Sequence, residues 1–359
     1  MSNSNRHVTL AERSAEPVLA ALDLGTNNCR LLIARPEDGG EGFVVIDSFS
    51  RIVRLGEGLV GTGELSDRAM GRTVAALKVC ARLMQRQGVN RVRCVATEAC
   101  RRAGNGEEFL KRVTATTGID LEVLTYQDEV GLALLGCVPL IDPSADHVLL
   151  VDIGGGSTEF AWLDRSNVDD DAACSLRCVQ SLPVGVVSLT EMFSSEPDSA
   201  TFEKMVAHVR GLLAPIEAKH RLIGLKNGGQ LQMLGTSGTV TTLAAVLLDL
   251  PRYNRREIDG LVVDMEAMAD IAGKLRGMTN ASRMAHPCIG PGRADLVVAG
   301  CAILEAICDT WPADSLRVAD RGLREGILHS LMGRTLEASL AKSMAAPRHA
   351  ADAGCEGLV

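Results

Sequence analysis

A chain of 359 residues exceeds one typical core and suits two domains of ordinary size, with 46% apolar residues available to bury. Its formal net charge of −8 excludes a general nucleic-acid binder, which needs a basic face, so an anionic ligand must be met by local positive charge. Eleven scattered cysteines, odd in number and without a C-x-x-C pair, read as reduced thiols and exclude a disulfide scaffold.

In chain order, the opening "MSNSNRHVTLAERSAEP" lacks the apolar centre of a signal peptide, and no later stretch is long and apolar enough for a bilayer, so a cytoplasmic protein is expected. "VLAALDLGTNNCRLLIARP" at 18–36 is an apolar strand, then Asp23, Gly25, Thr26 and Asn27, then a second apolar strand. The strand-like "GFVVIDSFSRIVRL" follows, and after a glycine-rich turn Ser66 can cap a long helix ending near Gly88. A strand at 91–97, a helix at 106–118, a strand at 120–126 and a helical "QDEVGLALLGCV" complete an α/β half, residues 1–132. The Pro- and Asp-rich "PLIDPSADH" marks the divide from a second half, 133–340.

That half begins with "VLLVDIGGGSTEFAWL" at 148–163, which repeats the plan of the first hairpin: Asp152, then Gly154, Gly155, Gly156, Ser157 and Thr158, then Glu159 and another strand. An acid at the end of a buried strand, followed by residues with little side chain, brings backbone N–H groups up to an anion. A hairpin turn alone does not require an Asp before the Gly in both copies, so phosphate is the expected ligand. After a long helix around 199–219, a third turn, Gly235-Thr236-Ser237-Gly238-Thr239, leads from a strand into a helix whose N-terminal donors also suit phosphate. The basic cluster Arg252, Arg255 and Arg256 lies beyond it, either along the path of a longer polymer or on solvated surface. "RVADRGLREGILHSLMG" supplies a loop and a last helix, and 341–359 reads as a disordered tail.

The two hairpins, "GTSGT", "TYQDEVGLALLG", "ATEACRRAGNGEEFLKRV" and "DRGLREGIL", in this order from about residue 18 to 338, resemble the exopolyphosphatase/guanosine pentaphosphatase family of the actin-like superfamily. The resemblance implies two ribonuclease-H-like domains facing a cleft, with the last helix packing back on the first domain. It also implies a short form without the added C-terminal domains of longer members, and a homodimer.

The activity implied is hydrolysis of the terminal phosphate of inorganic polyphosphate by water with a divalent metal, usually Mg2+. Guanosine pentaphosphate is the alternative substrate, and an ATP-dependent kinase or ATPase of the superfamily, or a non-catalytic alarmone sensor, are the rival classes. By the family's pattern Asp152 and Glu159 would hold the metal, as hard oxygen ligands suit it. Asp23, Gly25, Thr26 and Asn27 would meet phosphate from one wall, and Gly154, Gly155, Gly156, Ser157 and Thr158 from the other. Gly235, Ser237, Gly238 and Thr239 form a third contact. Asn28 stands where many members have Ser, and an amide can still donate. Arg101 matches a position that contacts substrate, and Arg30 follows the first loop closely. Counting back from Gly136 selects Glu129, and not Asp128, as the base. Val130 and Gly131 depart from the residues usual after it, and a Gly inside the helix costs roughly 1 kcal/mol relative to Ala.

Overall fold

The structure, a computed structural model, describes residues 17–37, 42–166, 175–226 and 229–344. Its strands are β1 (Leu19–Leu24), β2 (Asn28–Pro36), β3 (Phe43–Ile52), β4 (Arg91–Ala96), β5 (Glu122–Val123), β6 (His147–Ile153), β7 (Thr158–Asp164), β8 (Ser175–Leu182), β9 (Leu231–Thr236), β10 (Val262–Asp264) and β11 (Ser315–Ala319). They form two sheets, ordered β3-β2-β1-β4-β5 and β10-β11-β9-β6-β7-β8.

Apart from the short edge strand β10, the second sheet repeats the first. In each, the opening hairpin is antiparallel (β1 with β2, β6 with β7), a third antiparallel strand follows, and the first strand pairs in parallel with one reached by a helical crossover (β4, β9). This is the expected duplicated ribonuclease-H-like α/β architecture.

Strand periodicity explains the layering. Along β1, Ala20, Leu22 and Leu24 pack with Met70, Val74 and Leu77 of the outer helix Asp67–Arg86, whereas Leu19 and Ala21 face Leu132, Ile327 and Leu328. Along β6, Leu149, Val151 and Ile153 join the core under helices Ser199–His220 and Val297–Thr310, whereas Val148 and Leu150 face Val130, Ala133 and Leu134. Alternate side chains thus enter opposite faces, and both faces of both sheets are covered.

Two helices occupy the middle layer: Tyr126–Cys137, which is apolar nearly all round, and Leu323–Leu331. The first presents Leu132 to one sheet and Ala133 and Leu134 to the other, so the divide expected at 132 falls within a helix that serves both. The second carries the end of the chain back to β1 through Ile327 and Leu328. The helices approach so closely that a methyl group added at Gly326 would lie 1.8 Å from the Leu132 carbonyl oxygen, and one at Gly136 2.1 Å from that of Gly322.

Local signals account for most boundaries. The Ser66 hydroxyl accepts from the Ala69 N–H and starts the first long helix, and Asp198 caps Ser199–His220 through the Thr201 N–H. The strand expected at 120–126 is only two residues long, because the Thr125 hydroxyl accepts from the Asp128 N–H and starts the next helix at Tyr126. Of the tail expected at 341–359, residues 341–344 belong to helix Leu336–Met344, whose Leu336 and Leu340 pack against the central layer, and 345–359 lie outside the described residues. The described cysteines form no disulfide. No helix among the described residues is long and apolar enough to cross a membrane.

Candidate active site

The two hairpin turns are built alike. The Gly25 N–H donates to the Asn28 carbonyl at 2.9 Å and the Gly154 N–H to that of Ser157 at 3.0 Å, so these two donors close the turns. The N–H groups of Thr26 and Asn27, and of Gly155 and Gly156, find no acceptor among the described residues and remain available to an anion. The turns also touch: a Cβ at Gly155 would meet the Asn27 nitrogen at 3.1 Å, and one at Gly156 the Thr26 hydroxyl at 2.6 Å. Only glycine permits that approach.

Beside the turns lies a cavity of about 710 Å³. Asp23, Gly25, Thr26, Asn27, Asn28, Arg30, Glu129, Asp152, Gly154, Gly155, Gly156, Ser157, Glu159 and Ser237 all line it. Gly238 and Thr239 line a small adjoining cavity of about 60 Å³ with Asn27, Arg30 and Arg293.

Three expected contacts are not brought to the cavity. Thr158 is fully buried, and its hydroxyl donates to the Val184 carbonyl at 2.7 Å. Gly235 packs within the second sheet, where a Cβ would press on Val240 and Leu316. Arg101 stands behind the wall, engaged by protein acceptors: it donates to Glu129 Oε2 at 3.1 Å, to the Leu124 carbonyl at 2.7 Å, and to Glu98 Oε2 at 2.9 Å and 3.2 Å. Of the basic cluster, Arg255 reaches the cavity and pairs with Glu325 at 2.8 Å, while Arg252 and Arg256 are exposed away from it.

Four carboxylates, Asp23, Glu129, Asp152 and Glu159, line the cavity. Asp152 and Glu159 are direct partners in the β6–β7 ladder, and Asp23 holds in β1 the place that Asp152 holds in β6. Burial raises the carboxyl of Glu159 to about 7, and the charge of Asp152 adds to it. Glu129 is raised well above the usual range by burial and by Glu159, against the pull of Arg101. Asp152 and Asp23 retain some exposure, but the surrounding protein raises both, with Arg30 acting in the opposite direction. Asp128 is exposed, and its carboxylate accepts the Thr125 hydroxyl at 2.6 Å, outside the cavity.

These acids fit a divalent cation. The Ser181 hydroxyl holds Glu159 Oε1 at 2.8 Å, and Ser237, with a left-handed φ of 76°, hydrogen-bonds Asp152. Mutually repelling, desolvated carboxylates are relieved by bound positive charge. No cluster of three or more metal-ligating side chains occurs among the described residues, so Asp152 and Glu159 are the pair that would hold such a cation.

The tertiary structure adds arginines that sequence reading passed over. Arg293 donates to the Thr242 hydroxyl at 3.0 Å and lines both cavities. Arg321 pairs with Asp259, and its carbonyl accepts the Thr236 hydroxyl at 2.6 Å, tying the third loop to the last. Arg324 also lines the large cavity. A small-residue context, "GPGRAD" and "DRGLREG", was the available signal.

Comparison with known proteins identifies relatives of the chain. A model of the Ppx/GppA phosphatase family matches residues 32–335. The chain is 31% identical over 329 residues to exopolyphosphatase 2 of Mycobacterium tuberculosis, covering 88% of this chain and 98% of that protein. It is 27% identical over 315 residues to a putative exopolyphosphatase of Haemophilus influenzae, covering 87% and 91%. The crystal structure of the Aquifex aeolicus Ppx/GppA family member superposes with a TM-score of 0.69 at 31% identity, covering 88% and 97%. That of an exopolyphosphatase from Cytophaga hutchinsonii shares the fold, with a TM-score of 0.77 at 23% identity over 89% and 99%. The chain belongs to the Ppx/GppA phosphatase family of actin-like fold, and is a phosphoanhydride hydrolase.

Proposed function

We propose that the protein is a Mg2+-dependent exopolyphosphatase that removes the terminal phosphate of inorganic polyphosphate with water activated by Glu129. The observation that carries this reading is the meeting of Glu129, Asp152 and Glu159 with two turns of unengaged N–H groups in one cavity.

Hydrolysis of a phosphoanhydride requires neutralised oxygens, an in-line water and a group to accept its proton. The N–H groups of Thr26, Asn27, Gly155 and Gly156 bind and orient the terminal phosphate. Glu129 Oε accepts the proton from water, and burial and Glu159 raise its affinity for protons above that of an ordinary carboxylate. Arg101 holds that carboxylate in place from behind. Asp152 and Glu159 would hold the divalent cation, which when bound supplies charge neutralisation at the phosphate oxygens.

The test is phosphate release, with Mg2+, on long-chain polyphosphate and guanosine pentaphosphate side by side. A higher kcat/KM on polyphosphate is expected. Higher efficiency on the nucleotide would reverse the substrate assignment, and release from neither would reject the reading.

A further inference from the structure

Besides Glu129, Asp152 and Glu159, the cavity is lined by Arg30 and by Arg324, on the first turn of helix Leu323–Leu331, and Arg30 acts on both Asp152 and Arg324. Neither Arg30 nor Arg324 has a hydrogen bond or an ion pair among the described residues. The carboxylate next to Arg324 in the chain is already engaged: Glu325 accepts from Arg255 at 2.8 Å and from the Gly322 N–H at 3.0 Å. Asp23 attracts both Arg30 and Arg324, and Glu325 and Asp320 also attract Arg324, without a hydrogen bond to either guanidinium.

Three features make Arg324 unfavourable as a structural residue. Its half-buried guanidinium loses part of its hydration and makes no hydrogen bond among the described residues in return. Arg30 and Arg255 repel it, against the attraction of Glu325 and Asp23. It also sits at the positive end of a nine-residue helix, where a cation is the wrong charge. An anion bridging Arg30 and Arg324 would relieve all three, and a guanidinium can bind phosphate through two parallel hydrogen bonds.

Building on the phosphoanhydride-hydrolase reading, we propose that Arg324, together with Arg30, binds the phosphate next to the one that is cleaved, so that the substrate runs from Asp152 and Glu159 past Arg30 to Arg324. Arg324 is then a substrate-binding residue that selects a chain of at least two linked phosphates over a lone one. The acids and the two turns handle the terminal group, and Arg324 handles its neighbour.

Methylenediphosphonate, a non-hydrolysable pair of linked phosphorus centres, and orthophosphate serve as probes, each titrated calorimetrically into the protein with Mg2+. Arg324→Gln is expected to weaken methylenediphosphonate by about 10- to 100-fold, the loss of a charge-assisted hydrogen-bonding group. Orthophosphate should bind as in the wild type, and Arg324→Lys should fall between. The unfolding midpoint of Arg324→Gln should stay close to that of the wild type, since the side chain makes no hydrogen bond or ion pair among the described residues. Unchanged affinity for methylenediphosphonate, or equal weakening of both anions, overturns the proposal. So does failure of Arg324→Gln to fold, which would mean that the guanidinium is paired in the native state. Because no turnover is involved, a wild type that discriminates the two anions through Arg324 yet releases no phosphate from polyphosphate contradicts the enzymatic reading alone.

Discussion

Arg101 Nη1 lies 3.1 Å from Glu129 Oε2, and the same guanidinium clasps Glu98 through its other nitrogens. One cation therefore ties helix Glu98–Arg102, at the end of β4, to the first turn of helix Tyr126–Cys137. The pairing sets both the direction of the Glu129 carboxylate and its affinity for protons, since Arg101 opposes the rise caused by burial and by Glu159.

Removing Arg101 should change the pH profile. As the proposed base, Glu129 would have to be ionised to accept a proton, so activity is expected to fall as pH drops through its pKa. Arg101→Gln lifts a lowering influence, raises that pKa and moves the acidic limb of kcat/KM to higher pH, with the loss of rate greatest at low pH. Rate–pH curves of the variant and wild type check this. A uniform loss at every pH would leave Arg101 with a role other than tuning Glu129.

Glu129→Gln retains size and hydrogen bonding but cannot take the proton. General-base assistance is worth about 10²–10⁴ in rate, and turnover should fall by that order while methylenediphosphonate still binds. Asp128→Asn should be mild, because Asp128 only closes the capping interaction with Thr125. The reverse ranking of the two variants would transfer the base to Asp128.

The Glu159 carboxyl, raised to about 7 from 4.5 by burial and by Asp152, should leave a mark on stability in metal-free protein. Between those values the folded state holds a proton that the unfolded state has lost. Its contribution is therefore full below the unfolded pKa and is lost as pH rises toward 7, with a slope of about 1.4 kcal/mol per pH unit from this group. Glu159→Gln should flatten the curve of unfolding free energy over pH 4.5–7. Denaturant titrations with a chelator at several pH values measure it, and an unaltered slope in the variant would refute the assignment.

The crossing of the central helices gives a purely structural test. Gly326→Ala places a methyl group against the Leu132 carbonyl and should destabilise by about 1–3 kcal/mol, or more if the helices must separate. Gly131→Ala, on the same helix as Leu132 but with open space at its Cβ, should stabilise by roughly 0.5–1 kcal/mol. Thermal unfolding midpoints shifting in opposite directions are expected. Equal effects would mean that the close approach is not maintained in solution.

Much of this was legible in the sequence because its causes are local. Apolar alternation around Asp23 and Asp152, with small residues after each acid, specifies a strand, a tight turn and free backbone donors within a dozen residues, and doing so twice discloses the duplication. The Ser66 cap is equally local. What only the tertiary structure decided depends on residues distant in the chain. Arg101 could have faced substrate or protein, and the packing of Glu98, Glu129 and the Leu124 carbonyl around it turned it inward. Thr158 had the residue type for a phosphate contact, but the first position of β7 points its hydroxyl at Val184. Arg293 and Arg324 enter the cavity because helices near the end of the chain return to the opening hairpin, and no spacing along the sequence encodes a meeting of residues about 290 positions apart, as for Arg30 and Arg324. Chain pattern determines local backbone and face; which charges finally confront one another follows from the closing of the two sheets around the central helices.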